Sequence, residues 1–139
     1  MNNNIPKTIF ITGATSGFGK ATAKLFNEKG WQTIITGRRA DRLEELAKEL
    51  GEKSLPLAFD ISDRRAVKLA IQNISPNFNN ISVLCNNAGL ALGLEGADDA
   101  NLDDWDQMID TNIKGLVYAT RAILPLMVEN GEGHIINLG

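Results

Sequence analysis

One turn constrains this chain more than any other feature. A short apolar run, Thr8–Thr12, leads straight into Thr12-Gly13-Ala14-Thr15-Ser16-Gly17-Phe18-Gly19, and a helical pattern begins there. Glycine admits positive φ and lets the backbone approach a bound group closely. A helix N-terminus offers unpaired N–H groups and the positive end of its dipole. The spacing G-x-x-x-G-x-G between strand and helix therefore reads as a cradle for a diphosphate, to which Thr15 and Ser16 can add hydroxyl donors. A glycine-rich loop serving only chain reversal is the plain alternative, and the position between strand and helix counts against it.

The remaining pattern alternates in period. β-rich apolar runs fall at Thr8–Thr12, Gln32–Thr36, Ser54–Phe59, Ile81–Cys85 and His134–Leu138. They are continuous rather than alternating, as in strands covered on both faces. Leu43, Leu46, Ala47 and Leu50 follow a helical i, i+3, i+4, i+7 spacing, as do Val67, Ala70, Ile71 and Ile74. A longer stripe of this period runs through Trp105, Met108, Ile109, Ile113, Leu116, Val117 and Leu124. Asp41 and Ser62 are candidate N-caps, Gly30 and Gly51 candidate C-terminal stops, and Pro125 is expected to kink or shorten the last helix. Five strands alternating with helices predict an α/β fold, a doubly wound parallel sheet of Rossmann type with helices on both faces.

At 139 residues one domain, 1–139, is expected. The 43% hydrophobic and 22% charged content excludes a disordered chain. A formal net charge of −3 argues against nucleic acid or an anionic membrane as partner. The single Cys85 excludes an internal disulfide framework and a multi-cysteine metal site, and it fits a reducing cytoplasm. No signal peptide or membrane-length apolar run is present in the text. The last residues, Ile135-Ile136-Asn137-Leu138-Gly139, form an apolar strand. An edge strand of this kind lacks part of its covering helix, so the domain is expected to be incomplete at its C-terminus.

In a dinucleotide fold the residue after the second strand meets the adenosine ribose, and a carboxylate there selects NAD. This chain has Thr36-Gly37-Arg38-Arg39 and no acid before Asp41. Two guanidiniums suit a 2′-phosphate, so Arg38 and Arg39 point to NADP. The alternative is a solvated basic helix start, although cations near a helix N-terminus are unfavourable.

Further motifs narrow the family. Asp60-Ile61 follows the third strand, Asn86-Asn87-Ala88-Gly89 the fourth, and Asn112 lies in the long helical stripe. With the glycine turn, this set resembles the short-chain dehydrogenase/reductase family from about Lys7 to Gly139. Within it, Thr36-Gly37-Arg38-Arg39-Ala40-Asp41-Arg42-Leu43 and Asp110-Thr111-Asn112-Ile113-Lys114-Gly115 are similar to the bacterial NADP-dependent 3-hydroxy acid dehydrogenases, which act on serine-like and 3-hydroxypropionate-like substrates. The resemblance implies that Gly13, Ala14, Thr15, Ser16, Gly17, Phe18 and Gly19 hold the diphosphate and Arg38 and Arg39 the 2′-phosphate. Asp60 would accept from the adenine amino group, with Ile61 against the ring, and Asn87, Ala88 and Gly89 would pass the nicotinamide ribose. Asn112 would belong to the catalytic set, supporting a water chain to a lysine. Each has a structural alternative: Asp60 as a helix cap, Asn86–Gly89 as a turn, Asn112 as an amide tying its helix to the loop after strand four. Cys85 reads as core.

The family's chemistry needs a serine and a Tyr-x-x-x-Lys pair. Tyr118, the only tyrosine, is followed by Ala119-Thr120-Arg121-Ala122, so the pair is absent from this text. The resemblance would place the serine just after Gly139, which makes the chain the cofactor half of an NADP-dependent oxidoreductase, inactive alone, for a small hydroxy or carbonyl substrate. A homo-tetramer is implied, and no metal. A non-catalytic nucleotide-sensing or protein-binding module of the same fold is the alternative. A receiver-type domain fares worst, because Ile9-Phe10-Ile11-Thr12-Gly13 lacks the acidic cluster it needs.

Overall fold

The structure, a computed structural model, describes residues 5–139. Five strands form one parallel sheet: β1 (Thr8–Ile11), β2 (Gln32–Gly37), β3 (Ser54–Ala58), β4 (Ile81–Asn86) and β5 (His134–Asn137), in the order β3-β2-β1-β4-β5. The chain steps outward from β1 to β3, then crosses back to β4 beside β1. This reversal is the switch point at which open α/β sheets leave a crevice beyond their carboxyl ends.

The continuous apolar runs are explained by two cores. Side chains alternate across a strand. Phe10, Ile34 and Leu84 face one layer, where they meet Val67 and Ile71 of α3 (Arg64–Gln72) and Ala119, Ile123 and Met127 of α5 (Gly115–Asn130). Ile9, Ile11, Ile35, Val83 and Cys85 face the other, against α1 (Gly17–Glu28) and α2 (Ala40–Leu50) through Ala23, Leu43 and Leu46. Each central strand is thus buried on both sides. β3 and β5 are the edges, and the four residues of β5 are half-buried or exposed.

Several local expectations are corrected. Asp41 and Ser62 are not the caps. The cap of α2 is Arg39, with Asp41 in the first turn, and the cap of α3 is Asp63, whose carboxylate accepts from the N–H groups of Arg65 (3.0 Å) and Ala66 (3.1 Å). A carboxylate serves this role better than a hydroxyl, because it meets the positive end of the dipole with full charge. Gly30 and Gly51 do lie at helix ends, both with φ of +87°. Pro125 does not shorten its helix, which continues to Asn130 and stops at Gly131 in the left-handed conformation.

The long stripe is the largest departure. A π-helical turn, Asp110–Lys114, separates α4 (Leu102–Ile109) from α5. The extra residue in that turn rotates the two helices relative to one another, so one 3.6-residue stripe cannot stay on one face. The core is met instead by Gly115, Ala119, Ile123 and Met127. Trp105, Ile109, Ile113, Val117 and Leu124 are exposed.

Phe10→Ala, at a position with no exposure, is expected to cost about 3–5 kcal/mol in urea unfolding. Leu102→Ala, two-thirds exposed, should stay within about 0.5 kcal/mol of the parent.

Candidate functional site

A cleft of about 510 Å³ opens at the carboxyl ends of the strands, over the β1/β4 switch point. It gathers Gly13, Thr15, Ser16, Gly17 and Phe18 from the first turn, Arg38 and Arg39 from the end of β2, Asp60 and Ile61 after β3, and Asn87, Ala88 and Gly89 after β4. Residues distant in sequence therefore share one wall because the strands end together. Two of the singled-out turn residues stand apart. Ala14 is fully buried and its N–H donates to Thr36 O at 2.9 Å, while Gly19 is buried at the start of α1. Both shape the turn from beneath.

The turn is held by hydrogen bonds to the loop after β4. The Thr12 hydroxyl accepts from the N–H of Asn87 at 3.0 Å and of Ala88 at 2.9 Å, and donates to Cys85 O at 3.4 Å. The Asn87 amide donates to Gly13 O at 2.9 Å and Thr12 O at 3.2 Å. This closeness requires glycine at two places. A Cβ on Gly13 would lie 2.8 Å from Ala88 Cα, and one on Gly19 would collide with Gly13 O. Gly17 differs: its φ is +56° and a Cβ there would meet nothing within 4 Å, so its backbone borders open cleft. Ser16 caps α1 in extended conformation without a side-chain cap bond. The first turn of α1 thus presents its N-terminus to the cleft, the arrangement that suits an anion.

The β2 end is basic. Arg38 and Arg39 are exposed, and neither pairs with a carboxylate among the described residues. Arg42, in the first turn of α2, borders the same cleft. Asp60 is the sole acid on the cleft wall among the described residues. One of its oxygens accepts from Ser62 N (2.9 Å) and Ser62 Oγ (2.7 Å), which fixes the loop carrying Ile61. Ile61 itself joins the core.

Asn112 lies in the π turn and does not line the cleft, whereas Thr111 does. Its side chain is exposed and bridges the loop after β4, accepting from Leu90 N at 2.8 Å and donating to Leu90 O at 2.9 Å. The amide ties its helix to that loop, as the structural alternative had it. Cys85 is buried in β4, and burial pushes its thiol above the ordinary cysteine range, which makes it a poor nucleophile.

The family model of the short chain dehydrogenases matches residues 7–139. The chain belongs to the short-chain dehydrogenase family. An NADP-dependent 3-hydroxy acid dehydrogenase of Salmonella typhi is 51% identical over 131 residues, which make up 94% of this chain and 53% of that relative. A serine 3-dehydrogenase of Rhizobium radiobacter is 52% identical over 94% of this chain and 52% of its own length. Among solved structures, the closed form of a serine dehydrogenase complexed with NADP+ matches with a TM-score of 0.92 at 48% identity, covering 95% of this chain and 53% of that one. The chain spans about half the length of the curated relatives it matches.

In this short-chain dehydrogenase sequence Thr12 carries more of the site's geometry than its place in the motif suggested. The available signal was a hydroxyl at the carboxyl end of an otherwise apolar strand, where burial demands partners. Thr12→Val keeps the shape and strips an acceptor from two N–H groups. It is expected to cost about 1–3 kcal/mol in chemical denaturation, and an unchanged midpoint would mean that the two turns are held by other contacts.

Proposed function

We propose that this chain is the cofactor-binding part of an NADP-dependent oxidoreductase, which transfers a hydride between the nicotinamide and a small hydroxy or carbonyl substrate, a 3-hydroxy acid. The observation that carries the reading is the composition of one cleft. A glycine turn at a helix N-terminus and an arginine pair at the end of β2, unpaired among the described residues, open onto the same space. The first suits a diphosphate and the second a phosphate monoester on the ribose. Gly17, whose absent Cβ leaves open space, lets the backbone come close to the diphosphate. The names of the relatives and the NADP+ complex of the matched structure support the same choice.

When bound, NADP supplies the hydride acceptor or, reduced, the donor. The chain's own residues bind and orient. Arg38 and Arg39 hold the 2′-phosphate. Gly13, Thr15, Ser16, Gly17 and Phe18 border the diphosphate, with Ala14 and Gly19 shaping the turn beneath. Asp60 and Ile61 serve the adenine. Asn87, Ala88 and Gly89 run beside the nicotinamide ribose, and Asn112 positions the Leu90 loop at the edge of the reaction space. The described residues, 5–139, belong to one dinucleotide-binding domain, and the cytoplasm suits its lone thiol.

We also propose a homo-oligomer, a tetramer, assembled through the α4–α5 face. Trp105, Ile109, Ile113 and Val117 are 40–59% exposed there, an apolar surface that water disfavours. Ile113→Asp with Val117→Asp should move the protein to a smaller species in size-exclusion chromatography with light scattering. An unchanged mass would place the interface elsewhere.

Cofactor choice is tested by Arg38→Asp combined with Arg39→Ala. Losing roughly 1.5–3 kcal/mol of charge-assisted bonding should weaken NADP+ binding about 10- to 100-fold in calorimetric titration and spare NAD+. Equal loss for both would show that the pair does not read the 2′-phosphate.

A further inference from the structure

We infer that Arg42 is a third guanidinium on the 2′-phosphate and a determinant of NADP preference beside Arg38 and Arg39. This rests on the function proposed above.

Arg42 sits in the first turn of α2 and borders the cleft together with Arg38 and Arg39. Arg38 and Arg39 lie in the stretch before α2 and Arg42 in its first turn, and all three border the same cleft. Side chains of a helix lean toward its N-terminus, which carries the Arg42 guanidinium back toward the β2 end. Thr15 and Arg42 border the cleft and also an adjoining smaller pocket lined by Lys20, Glu45, Leu46 and Glu49.

The charges around it leave Arg42 free. Among the described residues it forms no ion pair, and Glu49 is engaged by Lys24 at 3.1 Å. Glu45, three residues further on, shares the smaller pocket but does not border the cleft. A cation in the first turn opposes the helix dipole, and Asp41 in the same turn offsets it without pairing with Arg42 among the described residues. A phosphate monoester carries a charge of about −1.5 to −2 near neutrality and three acceptor oxygens with about six lone-pair sites, more than the roughly four N–H bonds of two forks fill. Arginine's planar fork matches such a group with two parallel bonds.

The test is calorimetric titration of the full chain with NADP+ and NAD+, comparing the parent, Arg42→Gln and Arg42→Lys. Arg42→Gln should raise the NADP+ Kd about 5- to 20-fold and change the NAD+ Kd less than about twofold. Arg42→Lys, a point charge without the fork, should fall between. An unchanged NADP+ Kd, or equal weakening of both nucleotides, overturns the inference. Arg38→Asp/Arg39→Ala is measured alongside. If that variant alone shifts the NADP+/NAD+ ratio, the role of Arg42 fails and the cofactor reading stands. If neither shifts it, both fail.

Discussion

The site depends on how closely two turns approach. The Thr12 hydroxyl and the Asn87 amide join the end of β1 to the end of β4 by bonds of 2.9–3.4 Å. Glycine at 13 and 19 is the steric condition for that approach, since a Cβ at either position would run into backbone of the opposite turn or of its own. Once the two turns are joined, α1 must start at the mouth of the crevice, with its N-terminus facing the open space beside Gly17. A polar knot at strand ends has this force only because the strands beneath it do not move. Phe10, Ile34 and Leu84 on one face and Ile9, Ile11 and Ile35 on the other leave β1 and its neighbours no freedom to slip, and sheet register follows from that burial.

The second half of the architecture adds a different device. A π turn at Asp110–Lys114 reorients α5 and lets Asn112 clamp Leu90 through both of its amide atoms. The same rotation turns Trp105, Ile109, Ile113 and Val117 outward. Gly115, at the junction, comes so near the Asp60–Ile61 loop that a Cβ would lie 2.9 Å from Ile61 Cγ2. One local irregularity thus sets the loop after β4, the loop after β3 and the character of an exposed face.

Most of the fold was legible in the sequence because both-face burial writes itself as continuous apolar runs. Strand positions agreed with the structure to within a residue at the carboxyl ends, for example Ala58 in place of Phe59 and Asn86 in place of Cys85. The glycine turn was legible for the same kind of reason: few residue types survive where backbones touch. What escaped the sequence was cooperative. A single inserted residue in a helix has no compositional mark, so the stripe from Trp105 to Leu124 read as one core-facing surface. The caps at Arg39 and Asp63 lay within two residues of the expected ones, and the choice among adjacent polar residues was made by backbone direction. Arg42 stood in plain view beside Arg38 and Arg39, but only folding α2 onto the β2 end brings it to the cleft wall.

The claim beneath the whole account is that the crevice between β1 and β4 takes up a 2′-phosphorylated dinucleotide. Backbone amide shifts of the 15N-labelled chain during titration with NADP+ test it most directly. The largest changes should fall on Gly13–Gly19, Arg38–Arg39, Asp60–Ile61 and Asn87–Gly89, and saturate together. Shifts confined to the groove between Leu124 and Ile135, or no shifts at all, would contradict it.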